Sequence, residues 1–585
     1  MGAWSLYFLT KFGLHLAGVI TLAPLFNLLL AGLLSWPLSR PLGYRPAPVR
    51  DQAWPDGLMS HEPSHAFVAD PHDPGAHAAQ ESAERATRRR LRWLAWARAA
   101  LAWPLAGALA YHESALPPLS RLAQNWSAIR TFSADYLIEL ASRFVSPVLV
   151  AALAGGLVVW WLARRRLRWS GWVWLGLLLV GLQTGAQTVQ GWLAPTAPVG
   201  DSAGHGVQPY DISLDAKLPL ATAQLDDFVS RFYASERGKV LRFPTQGEPA
   251  FDLLILSVCS LSWDDIEFAG LADAPLLKRL DVVFRQFNSA ASYSGPAVLR
   301  LLHAGCGQAV QSELYGAAPP ACFLLRNLER AGFAPNLLLN HDGQFDGFAE
   351  QLRVASGVDL QSGASLPGGN TVPVAMRSFD GSPLLDDYAL LSSWWKAHVG
   401  GNQRVALLYN TISLHDGNQV PGMSSRSSID TYKPRAHKLF ADMERMLAMI
   451  EASGRPTVVV LVPEHGGAVR GDAGQIAGLR DYPTAAVTHV PAGVALFNLG
   501  PAAKRAPGQP PVVVEQVSSY TSLFAVVASL RHGGPAAAEP QRLSAVAKAL
   551  PPIAWVAEND TTRVVRQGGR SFLQLSGSGW RELSH

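Results

Sequence analysis

The sequence predicts an N-terminal all-α transmembrane bundle followed by an α/β domain with a mostly parallel central sheet and helices on both faces. The bundle is predicted from composition: 48% of the 585 residues are hydrophobic and only 16% are charged, and the apolar excess lies before residue 190. The α/β domain is predicted because apolar strands alternate with amphipathic helices after residue 220. We therefore expect a domain that is tethered to a membrane.

Four apolar stretches near the amino terminus are candidate membrane spans. Residues 7–36 contain Pro24 and predict either one long span or a tight pair of short spans. Residues 93–111, 145–163 and 169–187 are each close to the ~20 residues that a bilayer core requires. We expect about five crossings, two of them within the first stretch.

Arginine clusters predict the orientation of this bundle. Four arginines fall within residues 88–92 and four within residues 164–168. The positive-inside rule assigns both loops to the cytoplasm. The last span then exits outward, so the chain after residue 190 lies outside the cytoplasm.

Composition divides the chain into three parts. Residues 1–189 form the predicted transmembrane domain, which includes a flexible cytoplasmic loop near residues 46–84 that is rich in Pro, His and Asp. Residues 190–222 are rich in Pro, Gly, Ala and Thr and show no periodicity, which is typical of a linker. Residues 223–585 form the predicted exported domain.

The exported domain shows the elements of a parallel sheet in order along the chain. An amphipathic helix that includes Leu225, Phe228 and Phe232 opens it. A helix over residues 435–450 carries its apolar residues on one face, as a crossover between parallel strands does. The apolar runs that predict strands are residues 251–258, 405–409 and 457–462.

Charge and cysteine content limit the possible functions. A formal net charge of +4 is small for this length, and the basic residues cluster beside the predicted spans, so we expect no nucleic-acid binding. The chain has three cysteines. In an exported domain Cys306 and Cys322 are close enough in sequence to close a short disulfide loop, which leaves Cys259 as the odd thiol.

Two of the predicted strands end on residues that suit a metal ion. Cys259 follows the first strand, and Glu464 and His465 follow the last. Open α/β sheets bind ligands at the carboxyl ends of their strands, and thiolate, imidazole and carboxylate are all zinc ligands. We expect a zinc site at this edge, although Cys259 alone is also typical of a buried small apolar residue.

A serine lies at the predicted start of a helix between these strands. Pro296 favours a helix start, which puts Ser294 beside free amide donors that favour negative charge. This position suits a nucleophile that attacks phosphorus, and a neighbouring zinc ion would bind its hydroxyl and promote its deprotonation. The alternative role for Ser294 is a helix N-cap.

Three further side chains are candidates for supporting roles. His415 follows the 405–409 strand and could exchange a proton with a reacting hydroxyl, whereas the alternative is a structural loop histidine. Arg480 and Tyr293 could bind phosphate oxygens. For each of these two, packing in the core or at the surface is the alternative.

Several motifs together resemble one family, the BcsG-type phosphoethanolamine transferases of bacterial cellulose synthesis, within the alkaline phosphatase superfamily. The resemblance covers about residues 220–530 and extends to the predicted membrane region, including Tyr-Phe-Leu-Thr-Lys-Phe-Gly from Tyr7 and Ala-Asp-Tyr-Leu-Ile-Glu-Leu from Ala134. The motifs are Cys-Ser-Leu-Ser-Trp from Cys259, Ser-Tyr-Ser-Gly-Pro from Ser292, His-Asp-Gly-Gln-Phe from His341, Leu-His-Asp-Gly-Asn from Leu414, Val-Pro-Glu-His-Gly-Gly from Val462 and Gly-Leu-Arg-Asp from Gly478.

The resemblance implies a fold, a location and a reaction. It implies an alkaline-phosphatase-like fold and a multi-pass protein of the bacterial inner membrane whose C-terminal domain is catalytic and lies in the periplasm. It also implies transfer of phosphoethanolamine from phosphatidylethanolamine to the glucose 6-hydroxyl of nascent cellulose, beside subunits of the cellulose synthase complex.

Site residues follow from the same resemblance. Ser294 matches the nucleophile, which takes phosphoethanolamine from the lipid. The zinc ligands match Cys259, Ser294, Glu464 and His465, the supporting positions match Tyr293, His415 and Arg480, and the disulfide matches Cys306 and Cys322.

Other functions remain open from the residues alone. Transfer to lipid A, simple phosphodiester hydrolysis and a mainly structural role in the synthase complex are the alternatives. Transferases that act on lipid A resemble this chain in chemistry but use a threonine nucleophile. A sulfatase would need a Cys-x-Pro-x-Arg signature, and no cysteine of this chain begins one.

Overall fold

The computed structural model divides the chain into two compact units. One unit consists of residues 1–124 with 145–204, and the other of residues 125–144 with 205–585. The described residues are 4–16, 20, 22–35, 74–113, 126, 130–144, 147–163, 169–193 and 222–583, apart from 358–371, 424–426, 473–474, 504, 507, 568 and 577.

The secondary-structure elements described in the first unit are all helices. A buried ion pair joins Lys11 to Glu113, and Asn27 accepts a hydrogen bond of 2.6 Å from Lys11. Of the helices in the described residues, none is both long and apolar enough to cross a membrane. The helices are Trp4–Leu16, Pro24–Ser35, Pro74–Glu113, Pro147–Ala163 and Trp169–Leu193.

The second unit is built around a mixed sheet of seven strands in the order β3-β6-β1-β7-β8-β2-β9. Six of the strands run parallel, and only β8 runs antiparallel to both of its neighbours. The strands are β1 (Asp252–Val258), β2 (Val282–Phe287), β3 (Ala334–Leu339), β4 (Val374–Arg377), β5 (Pro383–Leu385), β6 (Val405–Thr411), β7 (Thr457–Leu461), β8 (Ala492–Phe497) and β9 (Val512–Ser518), where β4 and β5 form a separate hairpin.

Helices cover both faces of this sheet. Alternate residues of β1 point to opposite sides, so Leu253 packs into one apolar layer and Leu254 into the other. The helices of the unit are Ala134–Phe144, Thr222–Arg237, Trp263–Ala269, Pro275–Lys278, Ser294–Leu302, Leu324–Arg330, Phe348–Ser356, Asp387–His398, Tyr432–Ala452, Ala485–Thr488, Tyr520–Gly533 and Pro540–Ala549.

An antiparallel sheet of four strands follows at the C-terminal end of the described residues. Its strands are β10 (Trp555–Glu558), β11 (Thr562–Gln567), β12 (Arg570–Leu575) and β13 (Trp580–Leu583). The Thr222–Arg237 helix packs on it through Leu225 and Phe232, which contact an apolar cluster that includes Val556. The helix that begins at Thr222 and the C-terminal sheet are therefore packed together.

Three adjacent strands of the sheet, β6, β1 and β7, agree with the sequence analysis. The strands predicted at 251–258, 405–409 and 457–462 and the crossover helix at 435–450 are confirmed to within a few residues. The sheet is mostly parallel with helices on both faces, as predicted. Strands β2, β3, β8 and β9, the antiparallel direction of β8, and the C-terminal sheet were not predicted.

The N-terminal part differs from the predicted boundaries in three places. A helix begins at Pro74, so the loop expected over residues 46–84 is helical in its last part, and residues 46–73 lie outside the described residues. Residues 190–193 extend a helix, and the rest of the expected linker to residue 221 is also outside the described residues. Residues 130–144 belong to the α/β unit.

Asp252, at the start of β1, is predicted to be important for stability. Its buried carboxylate pairs with Arg455 and accepts a 2.9 Å hydrogen bond from the Val405 amide. Replacing Asp252 with alanine leaves the Arg455 charge unpaired, so we expect a loss of about 3 kcal/mol in the free energy of unfolding. The exposed pair Arg285–Glu515 provides the control: Arg285→Ala is expected to change this free energy by less than about 0.5 kcal/mol. Denaturant unfolding followed by circular dichroism measures both, and equal effects would contradict the assignment.

Candidate active site

Parallel pairing brings three of the predicted ligands to one edge of the sheet. Strands β1 and β7 are adjacent and parallel, so Cys259 and Glu464 leave the sheet at the same edge. The Glu464 amide donates a 2.9 Å hydrogen bond to the Val258 carbonyl, and the Cys259 amide donates one of 3.0 Å to Thr411. These bonds extend the strand pairing to the residues that carry the functional groups.

Cys259, Glu464 and His465 form a buried cluster. One ligand atom from each lies within 4.8 Å of the other two. The Cys259 sulfur is 3.7 Å from His465 Nε2, and this nitrogen is 4.0 Å from Glu464 Oε2. The structure therefore places a sulfur, a nitrogen and an oxygen around one point, as a candidate metal centre requires.

Ser294 lies beside this cluster, as predicted. It is the first residue of the nine-residue Ser294–Leu302 helix, and its hydroxyl is 3.3 Å from the Cys259 sulfur and 3.2 Å from His465 Nε2. Tyr293 occupies the N-cap, so Ser294 is not used to cap the helix. Its hydroxyl stands where the free amides of the first turn favour negative charge.

The electrostatics of the cluster fit a bound cation. Burial, with a contribution from Glu464, raises the pKa of the Cys259 thiol to about 12. Burial also raises the pKa of Glu464 and lowers that of His465 well below its ordinary value. Among the described residues Glu464 Oε2 has no hydrogen-bond partner. A divalent cation would supply that partner and would favour the ionised thiolate and carboxylate.

The backbone sets the tautomer of His465. Its Nδ1 lies 2.9 Å from the Gly466 carbonyl oxygen, which can only accept a hydrogen bond. This contact is shorter than the 3.2 Å between Nδ1 and Arg480 Nη1, so it favours the proton on Nδ1 and leaves the Nε2 lone pair directed to the cluster, as in most histidine ligands of metals.

Arg480 and Tyr293 lie next to the cluster. Arg480 Nη1 is 3.1 Å from the Ser260 hydroxyl and 3.2 Å from His465 Nδ1. The Tyr293 ring lies 5.7 Å from the Arg480 guanidinium, and its hydroxyl donates a 2.8 Å hydrogen bond to Asp481. The Tyr293 side chain is 37% exposed, so these two residues offer a cation and an aromatic ring beside Ser294.

His415 is close to the site but bonds within its own loop. Its Nδ1 is 2.6 Å from the Asp416 carbonyl oxygen, and its ring centroid lies 4.4 Å from that of Phe379. Burial and the charge of Arg480 lower the pKa of His415 to about 4, so the ring is neutral at pH 7. Within the described part of the chain, no hydrogen bond joins His415 to Ser294.

A relay that the sequence analysis missed orients Glu464. The Asn410 amide nitrogen donates to Glu464 Oε1. The Gly343 amide donates to His341 Nδ1 at 3.2 Å, so the proton is on Nε2, which donates to Asn410 Oδ1 at 3.1 Å. Asn410 is the next-to-last residue of β6, which neighbours β1, and this strand-end position is the signal that could have identified it.

Two further buried side chains brace the loops of the site and were also missed. Asp265 accepts a 2.7 Å hydrogen bond from the Gly467 amide, which holds the loop that follows His465. Asn559, from the C-terminal sheet, donates to the Ser292 hydroxyl at 2.7 Å and to the Asp481 carbonyl at 3.0 Å. The C-terminal sheet therefore supports the loops on either side of the nucleophile candidate.

The cysteines are paired as expected. Cys306 and Cys322 form a disulfide, and Cys259 is free and buried. The prediction of one disulfide and one odd thiol is confirmed.

The fold and the site thus define an α/β protein that carries a candidate metal centre, with a helix-terminal serine beside it, at the carboxyl edge of its sheet. The family descriptions "Cellulose biosynthesis protein BcsG C-terminal domain" and "Cellulose biosynthesis protein BcsG N-terminal domain" match residues 212–580 and 86–182, respectively. The chain belongs to the BcsG family of cellulose biosynthesis proteins.

Curated relatives match over nearly the whole chain. The Cellulose biosynthesis protein BcsG of Escherichia coli K12 is 34% identical, with 99% of this chain and 96% of the relative covered. The protein of the same name from Salmonella typhimurium LT2 is 33% identical with the same coverage. The family resemblance seen in the motifs is confirmed.

Solved structures are more distant. The integral membrane lipooligosaccharide phosphoethanolamine transferase A of Neisseria meningitidis has 14% identity, covers 72% of this chain and 82% of its own, and gives a TM-score of 0.38. The zinc complex of the periplasmic domain of EcEptC from Escherichia coli has 14% identity, covers 59% and 96%, and gives a TM-score of 0.37.

We predict that Asn410 contributes to metal affinity through Glu464. Asn410→Ala removes the donor that orients this carboxylate, so the full chain should bind Zn²⁺ about 10- to 100-fold more weakly. Asn336→Ala is the matched control, because within the described residues its side-chain amide bonds only to the Ala334 carbonyl, 3.3 Å away in β3. Competition with a chromophoric chelator measures both affinities, and an unchanged value for Asn410→Ala would rule out the relay.

Proposed function

We propose that this protein transfers phosphoethanolamine from phosphatidylethanolamine to the glucose 6-hydroxyl of nascent cellulose, with a covalent intermediate on Ser294. The observation that carries the proposal is the position of the Ser294 hydroxyl, 3.3 Å from the Cys259 sulfur and 3.2 Å from His465 Nε2 at a helix N-terminus. Membership of a cellulose biosynthesis family supports the choice of acceptor.

The resident metal in this proposal is zinc. Cys259, Glu464 and His465 would hold it with Ser294 as the fourth ligand, because this mix of sulfur, nitrogen and oxygen suits a borderline cation. When bound, zinc lowers the pKa of a neighbouring hydroxyl and stabilises negative charge on phosphoryl oxygens.

In the first step Ser294 Oγ forms a bond to the lipid phosphorus, and the bond from phosphorus to the diacylglycerol oxygen breaks. The Ser294 proton leaves and the diacylglycerol oxygen gains one, so protons balance over the step. The free amides of the Ser294–Leu302 helix stabilise the charge on the phosphoryl group. Arg480, whose side chain lies beside His465, adds a positive charge to the site.

In the second step the sugar 6-hydroxyl attacks phosphorus, the bond to Ser294 Oγ breaks, and the serine regains its proton. His415 is neutral at pH 7 because burial lowers its pKa to about 4, so it can accept the proton of an entering hydroxyl once substrate brings that group within reach. Tyr293, exposed beside Ser294, is placed to contact the substrate.

The proposal includes a location. The arginine clusters and apolar stretches of the N-terminal part support a multi-pass protein of the bacterial inner membrane, with the α/β domain in the periplasm beside the cellulose synthase complex. A disulfide between Cys306 and Cys322 fits an oxidising compartment. Such a tether would hold the site near both a lipid donor and a polymer that leaves the membrane.

We predict a covalent adduct on Ser294. Incubation of the full chain with phosphatidylethanolamine and Zn²⁺ should add about 123 Da, the mass of one phosphoethanolamine group, because the serine carries the group between the two steps. Ser294→Ala should show no adduct. Ser230→Ala, an exposed helix serine that bonds the Asp226 carbonyl, is the control and should react like the unmutated chain. Intact-mass spectrometry reads all three, and an adduct that persists in Ser294→Ala would exclude this nucleophile.

The acceptor is tested in cells. Cellulose from cells that contain the protein should carry phosphoethanolamine, and cellulose from cells with Ser294→Ala should carry none, while lipid A should be the same in both. Mass spectrometry of the two purified polymers measures this. Modification of lipid A alone would replace cellulose as the acceptor, and unmodified cellulose in both strains would support a structural role.

A further inference from the structure

We infer that Arg143, acting through Asp416, is a positioning residue for the active site. The Ala134–Phe144 helix lies in sequence among the N-terminal helices, yet it belongs to the same compact unit as the α/β domain. It holds the two loops that carry His415 and Arg480. The inference rests on the proposed function, because it concerns the same active site. Under this inference, a segment far in sequence from the site motifs fixes the geometry of that site.

The arginine binds Asp416 with both of its terminal nitrogens. Arg143 Nη1 is 2.7 Å from Asp416 Oδ2, and Nη2 is 2.7 Å from Oδ1. Tyr136, about two helical turns earlier, donates to the same Oδ2 at 3.0 Å. The Arg143 and Asp416 side chains are 9% and 10% exposed. A shielded, two-point pair of this kind fixes orientation as well as distance.

A second contact holds the far end of the same loop. The Glu139 carboxylate accepts hydrogen bonds from the Ser428 amide at 2.8 Å and from the Ser428 hydroxyl at 2.9 Å. Arg143 Nη2 also contacts Glu139 at 2.7 Å. The helix therefore binds the chain at Asp416 and again at Ser428, on both sides of residues 417–427.

Asp416 connects this pair to His415. The His415 Nδ1 contacts the backbone carbonyl of Asp416, the residue whose side chain Arg143 holds. The other side of the imidazole lies against Phe379, whose ring packs on Phe132 at 5.8 Å and on Tyr136 at 6.2 Å. The two groups that contact the His415 ring, the Asp416 carbonyl and the Phe379 ring, thus belong to residues that residues 132–143 contact.

The same arginine also lies over the loop of Arg480. Gly478 has a φ of +79°, and a Cβ placed on it would clash with Arg143 Nη1. The absence of a side chain at Gly478 leaves the space that the guanidinium occupies. Because Arg480 is two residues further on, displacement of Arg143 would affect Arg480 as well as His415.

Charge is consistent with a persistent contact. Burial opposes ionisation of Asp416, but the hydrogen bonds and charge of Arg143 outweigh it and hold the pKa of Asp416 well below its usual range. The aspartate is therefore ionised at neutral pH and available to Arg143. A purely structural ion pair would make the same contacts, and a combination of kinetics and hydrogen exchange separates positioning from stability.

The kinetic experiment uses the full chain in membranes, with phosphatidylethanolamine turnover as the rate. Arg143→Ala should lower kcat about tenfold with KM within about twofold, because the site is misaligned while substrate binding is kept. Arg143→Lys should recover part of the rate, and Arg143→Ala with Asp416→Ala should be no worse than either single change. Ser142→Ala is the control, since this exposed hydroxyl donates to the Glu139 carbonyl of its own helix and, in the part of the chain that the structure describes, to no other group.

Hydrogen exchange gives a readout that does not depend on activity. Peptides covering residues 412–423 should exchange faster in Arg143→Ala than in the unmutated chain, and Ser142→Ala should match the unmutated chain. Unchanged exchange in Arg143→Ala would overturn the inference, whatever the rates. Faster exchange with an unchanged kcat in an active chain would also overturn it and leave a structural role. An unmutated chain that transfers nothing would refute the proposed function, and exchange alone would then decide whether Arg143 holds the loop.

Discussion

The burial of three ionisable groups at one point is the constraint on which the site depends. Cys259, Glu464 and His465 lie within 4.8 Å of one another and are fully buried. Without a cation, burial favours the neutral form of each, and one carboxylate oxygen has no partner among the described residues. Burying these groups together costs free energy unless a metal ion offsets that cost. We therefore interpret the cluster as a candidate metal site.

Rigid neighbours keep these groups together. The parallel pairing of β1 with β7 and β6 sets the spacing of the strand ends, while Asn410 and Asp265 fix the carboxylate and the loop after His465. Each is buried and hydrogen-bonded, so the order of the site comes from strands and their immediate polar contacts rather than from flexible loops. The nucleophile candidate has the same kind of support, because a helix N-terminus sets the position of Ser294.

Local patterns predicted the parts of the molecule that depend on local sequence. Apolar runs identified β1, β6 and β7, and the residues that follow them identified Cys259, Glu464 and His465, because parallel strands must end at one edge. Asn410 and Asn559 were not predicted, since an asparagine near a strand end or in a turn has many roles and only the packing of distant segments selects one. The C-terminal sheet was missed because its short strands show weak alternation, and β8 because direction within a sheet is not encoded in a single apolar run.

Residues 130–144 show the limit of reading domains from composition. Their position among apolar helices assigns them to the N-terminal part, yet their polar side chains complete hydrogen bonds of the α/β unit. Without Asp416 and Ser428, Arg143 and Glu139 would each be a buried or half-buried charge that lacks these partners. The loop would likewise lose the hydrogen bonds that Arg143 and Glu139 make to it. The polar groups of each segment therefore need the other segment. A boundary drawn at residue 190 therefore cuts through one folded unit, because the unit consists of two separate stretches of chain joined by these contacts.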